Sequence, residues 1–146
     1  MKRLLIILTA VLVLAGCSSN GQSSPLGGER DIIYIDERFF MTQVDHLRLN
    51  SEQYVGKEIQ FEGLFLGLRR GENPRYVVIR RAPGCCGDDG MVGFDVVQDG
   101  ITSFPDNTWV QVTGILEELP QFNYILGVRA TSVIEMEERG LEFVIR

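Results

Sequence analysis

Hydrophobic and polar residues alternate along Lys57 to Arg70 (KEIQFEGLFLGLRR), with Ile59, Phe61 and Phe65 on one face and Gln60 and Glu62 on the other. A period of two marks a half-buried strand. Gly63 and Gly67 interrupt the apolar face, and glycines inside a long strand mark bulges or sharp coiling, as at a barrel corner. Four further strands follow, over Arg75–Arg81, Met91–Gln98, Thr108–Leu119 and Phe122–Met136, the last interrupted near Ala130. Turns fall at Gly71–Pro74, Ala82–Gly90 and Phe104–Asn107. Ahead of them, Asp31–Asp36 (DIIYID) reads as a short strand. From Glu37 to Leu49 the period changes, because Phe40, Val44 and Leu47 stand at i, i+4 and i+7 and form one helical stripe. Asp36 is placed to cap that helix, and Asn50–Tyr54 adds a short helical turn. Leu141–Ile145 is a terminal extension. The pattern predicts a mainly β fold, a small five-stranded OB-like barrel with an N-terminal strand and helix. A β-sandwich with a covering helix is the alternative.

The first nineteen residues (MKRLLIILTAVLVLAGCSS) follow a different pattern. Lys2 and Arg3 precede a run from Leu4 to Ala15 that is apolar except for Thr9. At about 1.5 Å per residue such a helix falls well short of a bilayer core of about 30 Å. It has the length of a signal-peptide h-region. The run ends in Leu14-Ala15-Gly16-Cys17, which resembles the lipobox of bacterial lipoproteins. That resemblance implies cleavage after Gly16 and modification of Cys17 with diacylglycerol on sulfur and an acyl chain such as palmitate on nitrogen. Several acyl chains make a stable anchor, since each buried CH₂ contributes about 0.8 kcal/mol. The Ser/Gly-rich stretch after Cys17 has the composition of a flexible tether. The expected organisation is a signal peptide over 1–16, a lipidated Cys and linker over 17–29, and the OB-like domain over 30–146. The expected location is the extracytoplasmic face of a cell membrane, held by lipid.

Charge narrows the function. The chain has 14 Lys plus Arg against 20 Asp plus Glu, a formal charge of −6, and losing Lys2 and Arg3 with the leader takes it to −8. Nucleic-acid binding needs a basic face for phosphates, so that class is set aside. The length after the leader allows one modest core. Nucleophile elbows, zinc-protease motifs, phosphate loops and dinucleotide fingerprints are all missing from the sequence. The residues favour a binding or interaction module over an enzyme.

The sharpest local feature is Arg80-Arg81-Ala82-Pro83-Gly84-Cys85-Cys86-Gly87-Asp88-Asp89-Gly90. Thiolates are soft ligands for zinc, copper(I) or iron, and carboxylates can complete a tetrahedral zinc shell. Adjacent side chains on a strand point to opposite faces, so both sulfurs reach one metal only if the backbone turns, which Gly84 and Gly87 permit. Cys85, Cys86, Asp88 and Asp89 are therefore candidate zinc ligands, with His46, the sole histidine, as a further one. Three other readings stay open. The pair can form a strained vicinal disulfide, since consecutive Cα atoms lie 3.8 Å apart and bridged ones usually 4.4–6.8 Å. It can act as a thiol-redox pair, although the spacing is not C-x-x-C. It can also be structural, packed in a tight hairpin of a protein-interaction domain. His46 is read more simply as a boundary or solvent-facing residue. Arg80 and Arg81, with Arg69 and Arg70, are read either as a local anion site or as partners of nearby carboxylates, and Trp109 as core or barrel end.

Asp36 with Phe39 and Phe40, then Tyr54-Val55-Gly56-Lys57, then Cys85-Cys86-Gly87-Asp88-Asp89, then Trp109-Val110 occur in that order within Asp31–Met136. Together they resemble the C-terminal extracytoplasmic domain of the YcgQ-type permease-subunit family. The resemblance implies an OB-like barrel working beside a predicted membrane permease, with a tie to metal homeostasis. The chain departs from that family in one respect: transmembrane helices precede the domain there, and a lipid anchor and tether take their place here. The functional expectation is a membrane-anchored accessory module that binds a transition metal, zinc by preference, through the Cys-Cys-x-x-Asp loop. A thiol-redox protein and an interaction domain with structural cysteines are the alternatives.

Overall fold

The computed structural model describes residues 31–69, 74–83, 89–98 and 104–145. The expected leader, Cys17 and the tether lie outside the described residues, as do Cys85, Cys86 and Asp88. The elements run β1 (Ile33–Tyr34), a 3₁₀ turn (Glu37–Phe39), α1 (Phe40–Leu49), α2 (Ser51–Tyr54), β2 (Glu58–Arg69), β3 (Pro74–Pro83), β4 (Asp89–Val97), β5 (Thr108–Leu119), a second 3₁₀ turn (Pro120–Phe122) and β6 (Ile125–Glu135).

The fold is mainly β, and five of the six strands form a ring. The sheet order is β1-β2-β3-β4-β6-β5, and β2 also pairs with β5, which closes the circuit. All contacts round the ring are antiparallel except β4–β6, a short parallel pairing over Asp95–Val97 and Gly127–Arg129. β1 lies outside the ring, parallel to the start of β2. This is the expected five-stranded OB-like arrangement with an added N-terminal strand and helix.

Closing a small ring requires β2 to serve two neighbours. It pairs with β5 from Glu58 to Phe65 and with β3 from Leu64 to Arg69. The change of partner follows Gly63, where a Cβ would come within 2.6 Å of the Ile79 carbonyl oxygen. Gly63 is thus a point of close approach between strands, next to the place where β2 changes neighbours. The register shift lies elsewhere. Between Thr113 and Gly114 of β5 the partner on β6 jumps from Ser132 to Ala130, so Thr131 is the extra residue of a bulge. Its hydroxyl donates to the Thr113 carbonyl. This is the interruption anticipated near Ala130.

The helix forms for the reason its stripe implied. Asp36 accepts a hydrogen bond from the Arg38 amide at the entry, and Phe40, Met41, Val44 and Leu47 are buried. They enter one core with Phe61, Phe65, Val78, Phe94, Val112, Leu116 and Val128 from the ring, so α1 packs onto the interior of the barrel. The Phe61 ring lies 6.3 Å from Phe40 and 5.3 Å from Phe94, in tilted and edge-on geometries that aromatic pairs favour. A smaller cluster of Leu64, Val77, Ile79 and Trp109 covers the alternate face of β2, β3 and β5.

Candidate functional site

β3 and β4 form a hairpin whose register runs from Tyr76–Val96 to Pro83–Asp89. The cysteine-containing residues 84–88 connect the last pair. Asp89 belongs to the β4 strand. Beyond Ile79, β3 no longer pairs with β2, and the C-terminal tail takes that place beside Arg81. The Arg81 amide donates to Glu142 O, and the Val144 amide donates to Arg81 O, both at 2.8 Å. Val144 drops into the main core, and Arg81 Nε donates to Glu142 Oε1 at 2.8 Å.

Arg80 is the group the sequence placed least well. It follows Val78 in the inward register of β3 and is 2% exposed. Its guanidinium sits between the Phe40 and Trp109 rings, 5.0 and 4.9 Å from their centroids. Nε donates to the Glu62 carbonyl at 3.0 Å and Nη1 to the Leu141 carbonyl at 2.6 Å. Glu37 Oε2 lies 3.7 Å away and accepts from the Leu141 amide at 3.0 Å. Burial pulls the Arg80 pKa below the ordinary arginine value, and the charges of Glu37 and Glu62 oppose that pull. So Arg80 ties β3 to β2, to the first 3₁₀ turn and to the tail. The anion-site reading gives way to the other one: Arg80 and Arg81 answer carboxylates and carbonyls of their own chain. The available signal was its position in an alternating strand, where an inward charge must find partners. Trp109 is 2% exposed, as a core or barrel-end residue should be.

His46 is exposed on α1. Its Nε2 lies 3.0 Å from the Tyr54 hydroxyl and its Nδ1 3.4 Å from Asn50 Nδ2. Tyr54 also meets it edge-on, and Ile33, Thr42, Gln43 and Leu47 complete a cavity of about 290 Å³ around the pair. Both ring nitrogens are thus engaged with α2 and the residue before it. Among the described residues no group of three or more His, Cys, Asp or Glu side chains is placed to hold a metal ion.

Two other concavities carry charged residues in their lining. One, of about 230 Å³, is lined by Tyr34, Glu37, Gln60, Glu62, Arg80 and Gln111 among others. Its groups bond to one another: Gln60 donates to Gln111, and Gln111 and Trp109 donate to Glu62. The other, of about 510 Å³, lies where β4 and β6 have not yet met and includes Arg48, Arg75, Asp95, Glu118 and Tyr124. Arg75 and Asp95 make a bidentate pair there, and that bond raises the Arg75 pKa. Glu117 on β5 is bridged to Arg129 on β6 at 2.7 Å.

Comparison with known families fits this architecture. A profile described as the prokaryotic membrane lipoprotein lipid attachment site matches residues 1–18. A profile described as the DUF1980 C-terminal domain matches residues 19–138. No curated protein matches the chain. The family resemblance drawn from Asp36, Tyr54–Lys57, the cysteine loop and Trp109 is borne out, including the lipid attachment signal ahead of the domain. The chain belongs to the DUF1980 C-terminal domain family, as a lipoprotein.

Proposed function

We propose that this protein is a membrane-anchored extracytoplasmic accessory module, held by lipid on Cys17, that presents a thiol-bearing loop beside a membrane permease. The observation that carries the reading is the direct succession of an attachment signal over 1–18 and a single family domain over 19–138. The ligand we infer is a transition metal, zinc by preference, on Cys85, Cys86 and Asp89, with Asp88 as the alternative oxygen donor.

What supports the loop as a binding element is its setting. Residues 84–88 connect strands paired at Pro83–Asp89, and the base of that hairpin is braced by the tail and by buried Arg80. Thiolate and carboxylate donors suit zinc, and two thiolates with one carboxylate leave a fourth position for water or a partner's ligand. His46 is left out of the set, because its nitrogens already contact Tyr54 and Asn50.

The test is elemental analysis and intact mass on the full lipoprotein, extracted in mild detergent under anaerobic conditions. The expected result is one equivalent of zinc, lost in the Cys85→Ser/Cys86→Ser variant, and a mass increased by the acyl groups at the N-terminal Cys. A metal-free protein lighter by two hydrogens would replace the zinc reading with a vicinal disulfide. A metal-free dithiol that alkylates slowly would leave structural cysteines.

A further inference from the structure

The C-terminal tail alternates. Glu142 bonds to Arg81 and Val144 is buried, whereas Leu141, Phe143 and Ile145 are 49%, 58% and 71% exposed. Backbone bonds on both sides of Arg81 fix that register, and Arg80 holds the Leu141 carbonyl. The three apolar side chains are therefore held toward solvent by the fold. Two more exposed aromatics lie near. Glu37, whose carboxylate takes the Leu141 amide, is two residues from Phe39, and Tyr34 lines the same cleft as Glu37 and Arg80. Tyr34 and Phe39 are both exposed. Isolated surface apolars need no explanation, but a group of them held in place marks a contact surface.

The position of the chain's own start indicates what covers it. The attachment match ends at residue 18 and the described chain begins at Asp31, just before β1. The residues between them span at most about 43 Å when fully extended. The chain thus enters the fold beside Tyr34, and a lipid surface is always within reach of this face. A short tether also raises the effective concentration of the two surfaces to about the millimolar range, so a weak contact suffices. Two carboxylates of the face are engaged within the fold: Glu142 with Arg81, and Glu37 with the Leu141 amide and Arg80. With the leader removed the formal charge is −8, which gives no attraction to anionic headgroups, so such a contact has to be apolar.

We propose that the face formed by Leu141, Phe143 and Ile145, with Phe39 and Tyr34 at its side, rests on the bilayer that carries the chain's anchor. The aliphatic and Phe side chains enter the interfacial layer, and Tyr34 sits at headgroup level, where amphipathic aromatic rings are favoured. This rests on the lipid-anchor reading above.

The test places a second tryptophan in the full lipoprotein, reconstituted in phosphatidylcholine vesicles whose acyl chains carry bromine near the headgroup. Phe143→Trp reports on the proposed face. Gln121→Trp, beyond the end of β5 opposite Trp109, is the control. Buried Trp109 gives the same background in both. The expected result is that bromine removes about half of the added emission at position 143 and leaves position 121 unchanged, at low and high salt alike, as for shallow apolar insertion. Ile145→Trp provides the same readout should Phe143→Trp loosen the tail. Equal emission loss at both positions, or at neither, overturns the proposal. So does contact that requires anionic lipid and is removed by salt, or cross-linking of two copies through position 143. Protein that fails to stay with the vesicles at all refutes the anchor and the docking together, whereas protein that stays with no emission loss at 143 refutes the docking alone.

Discussion

Arg80 is a residue whose strand is plain in the sequence and whose surroundings are not. It was read together with Arg81, either as an anion site or as a partner of nearby carboxylates, and the second reading holds. In the fold the two neighbours part. Arg81 stays partly exposed with Glu142, and Arg80 is sealed between Phe40 and Trp109. Replacing Arg80 with Ala leaves a cavity and strands the carbonyls of Glu62 and Leu141. It should lower stability by about 3 kcal/mol in urea unfolding. Arg80→Met refills the volume without the donors and should recover part of that loss. Equal losses for the two variants would show that hydrogen bonding outweighs packing here. Stability should not vary through titration of Arg80 between about pH 5 and 9. A lowered folded pKa means that unfolded protein binds more protons only near the arginine range, so that contribution rises with pH only there.

At the scale of elements, most of the fold was legible. The bounds of β5 match the expected Thr108–Leu119. Helix α1 buries the three residues of its stripe, and the interruption near Ala130 is the Thr131 bulge. These signals are local, because a period of 2 or 3.6 is written in neighbouring residues. What was not legible is nonlocal: the switch of β2 from β5 to β3, the parallel join of β4 to β6, and the seat of the tail on β3. Two glycines separate the local and nonlocal cases. At Gly56, φ is +87° and nothing lies within 4 Å of an added Cβ. Gly56→Ala should therefore cost about 1 kcal/mol, from backbone strain alone. At Gly63 the obstacle is the backbone of the neighbouring strand, and Gly63→Ala should cost about 2 kcal/mol or more, within the range of overpacked sites. Denaturant midpoints compared at constant slope would order the two. The candidate site divides in the same way. The cysteine loop was conspicuous in composition, but the brace behind it comes from residues more than fifty positions away.

For the molecule as a whole, one core joins the helix to opposite walls of the ring. Phe61 on β2 contacts both Phe40 of α1 and Phe94 of β4. Phe61→Ala should cost about 3–5 kcal/mol, with Trp109 fluorescence and far-UV circular dichroism losing structure in one coincident transition. Separate transitions would mean that the helix and the ring melt apart. The circuit of strands gives each ring strand two neighbours over part of its length, but the β4–β6 join covers only Asp95–Val97 and Gly127–Arg129, so β4 ahead of it and β6 beyond it keep an edge with no strand partner among the described residues. The tail has a further consequence for the order in which the protein is made. The Arg80 guanidinium and its acceptor at Leu141 are separated by 61 positions, and synthesis proceeds from the amino end. Until residues 141–144 have emerged, a cation destined for the interior lacks one of its acceptors and the Val144 position in the core is vacant. A copy ending at residue 140 should therefore stay ajar where one that includes these residues is shut, and should be cleaved faster in limited proteolysis, which follows the population of the open form.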